Sequence, residues 1–310
     1  MIHVSQGHEK SISLEVFLRS CFLLNSSQLS QILLHADAKS LEQNLKDLRF
    51  TYTLKDRELV LQGGIHIPWK STQAKDSNPS LSSLESALKD IRHEDALVTL
   101  PTSKDQFPSS LAGHTEYLRK TYSKSDLAMT FFDGRHFTLL ITDHVPLIKV
   151  PDAVTSESVF QKTTYAIKGI EKYFWPIEKM IFSGINPHAG EAGQLGTEDA
   201  KVTEAVLRLQ DIYKGIGSIG PLSGDTLHNH AEVDKNCLFV YMHHDQALAP
   251  FKQKNLFWGS NITFGLPFLR LSVDHGTAFD LYAKKKSQFL GCYDVLLTAL
   301  RTQRKIHGNH

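Results

Sequence analysis

The sequence predicts an α/β protein whose strands form largely parallel sheets covered on both faces by helices. Three observations predict it. From about residue 127 onward, short apolar runs alternate with stretches of helical period. Runs such as KMIFSGI and CLFVYM are apolar without polar alternation, as in strands buried on both faces. The chain has 310 residues, 41% hydrophobic and 22% charged, enough for one large or two modest domains with cores of their own.

The elements follow in order. Residues 14–24, LEVFLRSCFLL, carry Arg19 and are too short for a membrane span, so a buried helix is expected, without a signal-peptide pattern. Residues 27–35 and 38–48 read as helices. Residues 49–66 read as strands, with Gly63-Gly64 turning LVLQ into IHIP. Polar residues 70–82 predict a surface loop, 83–93 a helix, and ALVTLP a short strand. LAMTFF and FTLLIT read as paired strands around Asp133-Gly134. A helix is expected over 152–172, a buried strand at KMIFSGI, and an amphipathic helix over 197–213 capped by Thr197 with Glu198 and Asp199. CLFVYM and NITFGL read as strands and 276–305 as helical.

The net charge of +1 gives no bulk attraction to nucleic acid or membrane, and Lys284-Lys285-Lys286 reads as a solvated face. Three scattered cysteines, Cys21, Cys237 and Cys292, are no disulfide framework and fit a reducing compartment, so a cytoplasmic protein is expected.

The polar clusters follow the strands. FTLLIT leads into Asp143-His144, KMIFSGI into Asn186-Pro187-His188-Ala189-Gly190-Glu191, and CLFVYM into His243-His244-Asp245. Ligands of open α/β sheets bind outside the carboxyl ends of strands, so three strands deliver histidine to one edge. Three imidazoles leave a metal with open positions, as catalysis requires. Zinc, manganese, cobalt, nickel or iron suit such a site, and magnesium prefers oxygen. Asp143, Glu191 and Asp245 are candidates to orient the rings. Spacing does not choose between His243 and His244. Lys252, Asn261 and Arg270, with Gly113-His114-Thr115 upstream, are donors suited to phosphate or carboxylate. Gly-Ile-Gly-Ser-Ile-Gly at 215–220 matches a dinucleotide-binding pattern but follows a helix and runs into Pro221, so it reads as a helix stop and loop.

Six motifs in this order resemble the 4-hydroxythreonine-4-phosphate dehydrogenase family: LAGHTEYL (111–118), ITDHVPL (141–147), GINPHAGEAGQLGTED (184–199), GPLSGDTLH (220–228), HHDQALAPFK (243–252) and NITFGLPFLRLSVDHGTAFDL (261–281). The likeness runs from about residue 98 to the C-terminus. It implies metal ligands at His144, His188 and His244, with His243 where the family usually has tyrosine. It implies substrate contacts at His114, Thr115, Lys252, Asn261 and Arg270. The implied fold is the two-domain α/β/α architecture of the isocitrate and isopropylmalate dehydrogenase group, with the active site in the interdomain cleft. The domains are expected at 1–115 plus 276–310 and at 116–275.

The implied reaction is metal- and NAD(or NADP)-dependent oxidation of 4-phosphohydroxy-L-threonine to a β-keto acid that decarboxylates, in pyridoxal phosphate biosynthesis. One divalent metal (Zn, Mg, Mn or Co) per site is expected, in a homodimer with a shared active site. Asp225 and Lys104 are candidate proton-transfer groups. The chain departs from the family at SQGHEKSISLE (5–15), where Ser11 and Ser13 replace glycines and two prolines are missing. That departure keeps two alternatives in view: a dehydrogenase of erythronate or threonate phosphate, and a non-catalytic metal- and phosphometabolite-binding module.

Overall fold

A computed structural model describes residues 1–73, 78–111, 113–124, 126–231, 235–256 and 258–308. The chain divides into two compact units, Met1–Lys124 with Phe257–Asn261 and Leu266–His310, and Ser125–Leu256 with Ile262–Gly265. The boundary therefore falls after residue 124 instead of 115, and 266–275 count with the first unit. The reason is that Leu118 of helix 114–121, and Phe268 just before the strand 269–273, pack in the first unit's own core.

The first unit contains β1 (Ile2–Ser5), α1 (Ser13–Cys21), α2 (Ser26–Leu29), β2 (Ile32–Asp37), α3 (Ala38–Asp47), β3 (Tyr52–Leu54), β4 (Glu58–Leu61), β5 (Ile65–Thr72), α4 (Pro79–Asp90), β6 (Ala96–Thr99) and α5 (His114–Thr121). The second contains β7 (Ala128–Phe132), β8 (Phe137–Leu140), α6 (Val150–Ala153), α7 (Ser156–Tyr173), β9 (Lys179–Ser183), α8 (Ala200–Ile212), β10 (Gly217–Leu222), β11 (Cys237–Tyr241) and α9 (His244–Lys254). β12 (Ser260–Phe264) is shared by both, and β13 (Leu269–Val273) and α10 (Leu290–Ile306) return to the first unit.

In the first unit the strand order is β13-β6-β1-β2-β5-β4-β3. The pairs from β13 to β5 are parallel, and β4 and β3 close the order antiparallel. In the second unit the order is β10-β9-β11-β8-β7, parallel except for the β7–β8 hairpin. β11 is buried at every residue, as its unbroken apolar run requires.

Several expectations fail for identifiable reasons. Residues 27–35 split into α2 and β2, because Ile32, Leu34 and Ala36 are fully buried in a strand between β1 and β5. In the polar stretch 70–82, β5 continues to Thr72 and α4 begins at Pro79, where a missing N–H costs nothing; residues 74–77 lie outside the described residues. Within 276–305, only a single turn at Phe279–Leu281 precedes α10, because Ala278, Ala283 and Lys285 take positive φ and break the helix. Residues 217–220 of the glycine pattern are strand, part of β10, instead of loop. The helix α8 starts after Asp199, and neither Thr197 nor Asp199 supplies a side-chain cap.

A buried histidine pair sits in the parallel core of the first unit. His3 Nδ1 lies 3.0 Å from His35 Nε2, His35 Nδ1 lies 2.9 Å from Ser86 Oγ, and His3 Nε2 faces Asp95 at 3.5 Å. Burial holds His3 below its ordinary value against the pull of Asp95, and burial followed by His3 pushes His35 down to about 3, with Asp90 and Lys70 acting in opposite senses. Both rings are therefore neutral in the folded chain at neutral pH, whereas the unfolded chain protonates them near their ordinary value of about 6.5. The contribution of His35 is complete above that pH and is lost as pH falls from there toward about 3, and that of His3 is lost in the same direction. The prediction is that urea-unfolding stability drops by up to about 1.4 kcal/mol per pH unit per ring below pH 6.5, and that His35→Gln flattens the slope. Equal slopes for the two proteins between pH 7 and 5 would count against the pair as its source.

Candidate active site

The order of the second sheet places its polar loops. β10, β9, β11 and β8 are neighbours and parallel, so their carboxyl ends share one edge. Four loops leave from it: Ser223-Gly224-Asp225, Asn186-Pro187-His188, His243-His244-Asp245 and Asp143-His144.

His144 and His244 come together, with ring centroids 5.9 Å apart. His244 Nδ1 lies 2.7 Å from Asp245 Oδ1, and His188 Nδ1 lies 2.8 Å from Glu191 Oε1. A carboxylate on Nδ1 fixes the ring and leaves Nε2 as the coordinating atom, the usual support of a metal-bound imidazole. The donor set thus fits a divalent cation of the zinc, manganese or cobalt type. His188 lines a cavity of about 720 Å³ with Asp225, His228, His243 and Asp245. His144 and His244 line a second cavity of about 290 Å³, also bordered by His243 and Asp245. Among the described residues of one chain, no three histidine, cysteine or acidic side chains close into a metal-holding group. One chain therefore brings together two of the three expected ligands, with the third on the neighbouring cavity wall.

His243 has a structural task of its own. Its Nδ1 accepts from the backbone N–H of Gln246 and caps α9, and burial holds its pKa below the ordinary value.

The loop bearing His188 has an unusual backbone. His188, Ala189, Gly190, Glu191 and Ala192 are consecutive left-handed residues with φ between 43° and 78°. For residues other than glycine this costs roughly 1–2 kcal/mol each, so the surroundings must impose it. The sequence reading missed two residues that shape this edge. Asp199 reaches back to the loop instead of capping its helix, and Gln246 joins two strand ends. Gln246 Oε1 accepts from Ser183 Oγ and from Met242 N, both at 3.0 Å, while its Nε2 donates to the Gly184 carbonyl at 2.9 Å. Gly224 packs closely against this side chain, where a Cβ would stand 2.5 Å from Gln246 Nε2.

Asp225 accepts from Ser223 Oγ at 2.6 Å, and this bond holds its carboxyl below the usual carboxylate range. Lys252 is exposed on α9 of the second unit. The other expected anion contacts, His114, Thr115, Asn261 and Arg270, belong to the first unit, as does the exposed Lys104.

Arg270 is almost fully buried, and its Nη2 donates to Thr99 Oγ1 at 2.8 Å. Burial lowers its pKa to about 10, so it stays charged at neutral pH. His114 opens α5 with its ring against the edge of Phe107, and burial followed by Arg270 pushes it down to about 3. Its Nε2 is buried with no hydrogen-bond partner among the described residues. A buried guanidinium beside a neutral imidazole with an unused nitrogen suits an anion with further acceptor oxygens.

The atypical segment 5–15 closes on itself. Ser11 Oγ lies 2.6 Å from Ser13 Oγ and donates to the His8 carbonyl, while Ser13 Oγ donates to the Pro101 carbonyl at 2.5 Å. Gly7 is required there, since a Cβ would stand 1.9 Å from the Pro101 oxygen. The serines that replace glycines thus tie this segment to the residues just before Thr102-Ser103-Lys104.

Comparison with known proteins supplies a context. Residues 20–294 match the family model of pyridoxal phosphate biosynthetic protein PdxA. The 4-hydroxythreonine-4-phosphate dehydrogenase of Sulfurihydrogenibium sp. is 32% identical over 300 residues, covering 91% of each chain. A putative 4-hydroxythreonine-4-phosphate dehydrogenase from Salmonella typhimurium shares the fold, with a TM-score of 0.76 at 22% identity over 97% of this chain and 99% of that one. Isocitrate dehydrogenase from Methylococcus capsulatus shares it more distantly, with a TM-score of 0.50 at 11% identity over 99% of this chain and 86% of that one. The fold is accordingly α/β of the isocitrate dehydrogenase-like group.

Proposed function

Because the chain belongs to the PdxA family, we propose that it oxidises 4-phosphohydroxy-L-threonine with NAD (or NADP) in a divalent-metal-dependent reaction of pyridoxal phosphate biosynthesis. The observation that carries the reading is the arrival of three histidine loops at one sheet edge, with two of the rings held through Nδ1 by carboxylates. When bound, a divalent cation supplies Lewis acidity at the reacting oxygen and a nicotinamide supplies the two-electron acceptor.

His144, His188 and His244 hold the cation. Arg270 with His114, Thr115 and Asn261 anchors an anionic group of the substrate, and Lys252 adds a further cation. Asp225, in the cavity wall with His188, and Lys104 serve proton transfer. The product is a β-keto acid, which loses carbon dioxide to give 3-amino-2-oxopropyl phosphate.

The active unit is a homodimer in which a second copy completes the ligand set that one chain leaves open. Leu147 and Ile148, just beyond His144, are exposed at 70% and 87%, and Leu195, in the His188 segment, at 47%, which supports cover by a partner. No helix among the described residues is long and apolar enough to cross a membrane, and all three cysteines are free and buried, in keeping with a cytoplasmic enzyme.

The test is a coupled assay with NAD and 4-phosphohydroxythreonine. Turnover is expected to vanish on exhaustive chelation and to return with zinc, manganese or cobalt. Turnover that survives complete metal removal would refute the mechanism. The serine-closed segment 5–15 favours a second reading, the same chemistry on erythronate or threonate phosphate. A higher kcat/KM for either sugar-acid phosphate in the same assay would select it.

A further inference from the structure

We infer that Asp199 is a positioning residue that holds the strained His188 loop in its metal-binding shape. The inference rests on the reading of His188 as a ligand and goes beyond it in naming what sets its geometry.

Asp199 is buried at 6% exposure, immediately before α8, yet its carboxylate leaves the helix start unserved. It turns instead to the loop on the far side of His188. One oxygen, Oδ1, accepts from the backbone N–H of Ile185 at 2.6 Å. The other, Oδ2, accepts from Asn186 N at 3.3 Å and Asn186 Nδ2 at 2.9 Å. Asn186 Nδ2 also donates to Glu198 Oε2 at 2.9 Å, so the two acidic residues grip the loop's entrance together.

The glycines mark how closely the loop wraps this carboxylate. A Cβ on Gly184 would stand 2.6 Å from Asp199 Oδ1, and one on Gly190 would stand 3.0 Å from Oδ2 and 2.8 Å from the Gly196 carbonyl. Between Asn186 and Asp199 run the five left-handed residues that include His188 and its partner Glu191. Left-handed backbone at His188, Ala189, Glu191 and Ala192 relaxes toward ordinary angles unless its ends are held. A carboxylate that collects three donors at the entrance supplies that constraint.

Replacing the carboxylate by an amide keeps the shape but sets an N–H₂ against N–H donors. Asp199→Asn is therefore expected to free the loop entrance while leaving the rings intact. The test is titration of the metal-free full-length protein with Co²⁺, followed by its visible ligand-field bands, on wild type, Asp199→Asn and His188→Ala. Loss of an outer partner of a metal ligand costs 10–100-fold in affinity, and a loss of about that size with altered band shape is expected for Asp199→Asn. Inorganic phosphate is expected to raise the melting temperature of wild type and variant by the same amount, which separates a local effect from general damage.

Wild-type affinity and spectrum in Asp199→Asn, with both lost in His188→Ala, would overturn the positioning role and leave the ligand reading standing. Unchanged binding in His188→Ala would overturn the ligand reading and this inference with it. Should Asp199→Asn fail to fold, Asn186→Ala removes one of the three donors on Asp199, Nδ2, together with that atom's bond to Glu198, and leaves the two backbone donors in place. A several-fold weakening of Co²⁺ binding in Asn186→Ala supports the role, and an unchanged affinity overturns it.

Discussion

His188→Ala is expected to lower affinity for a divalent cation by more than about 100-fold and to abolish metal-dependent turnover without lowering stability measurably. The magnitude follows from comparison: removing an outer partner of a ligand already costs 10–100-fold, and removing the ligand costs more. The stability expectation follows from exposure. The side chain of His188 is 65% exposed, and its contact is with Glu191, whose side chain is itself 45% exposed. Deleting it opens no cavity, and surface changes of this kind fall within about 0.5 kcal/mol. Alanine takes the same left-handed backbone at no greater cost, as Ala189 beside it does. Calorimetric titration with Zn²⁺ and a thermal melt of the same samples provide the check. Wild-type affinity with wild-type stability would show that another residue holds the metal.

Arg270→Lys is expected to reduce kcat/KM for the phosphorylated substrate by roughly 10–150-fold, the equivalent of one charge-assisted hydrogen bond of about 1.5–3 kcal/mol. Lysine retains the charge but loses the planar fork, so the change isolates geometry from electrostatics. Arg270→Ala is the harsher test, because it also empties a buried volume beside Thr99 and His114. The pH profile gives a second readout. Arg270, lowered to about 10, remains a cation, and His114, lowered to about 3, remains neutral, throughout the range from pH 6 to 8. The anchor itself therefore contributes no inflection to KM across that range. A KM for Arg270→Lys equal to that of wild type would place the anion elsewhere.

Much of the architecture was legible because strands and loops here obey local rules. The β4–β5 turn sits at Gly63-Gly64, which both take positive φ, and the β7–β8 turn holds Gly134 in the same way. The strand-end histidines were legible because parallel strands deposit their loops on one side. What escaped the reading depends on contacts distant along the chain. β1 is only four residues long, too short for a periodic signal, and it is a strand because β2 and β6 flank it on both sides. Ile32–His35 joined a sheet although the residues before it open as a helix. Asp199 looked like a cap because caps are local, while its actual partners lie 13 and 14 positions upstream. Gln246 carried no pattern of its own, since a clamp between two strand ends is visible only when the strands are adjacent.

The parallel run β10-β9-β11-β8 also has a consequence for how such a protein changes over time. Every candidate metal ligand of the second unit hangs from the carboxyl rim, while the opposite rim carries connections such as 214–216 and Lys235-Asn236 with none of them. Substrate preference can therefore drift by exchanging loop residues on one rim, with the folding contacts of the other left untouched. Innovation and durability are written into opposite ends of the same strands.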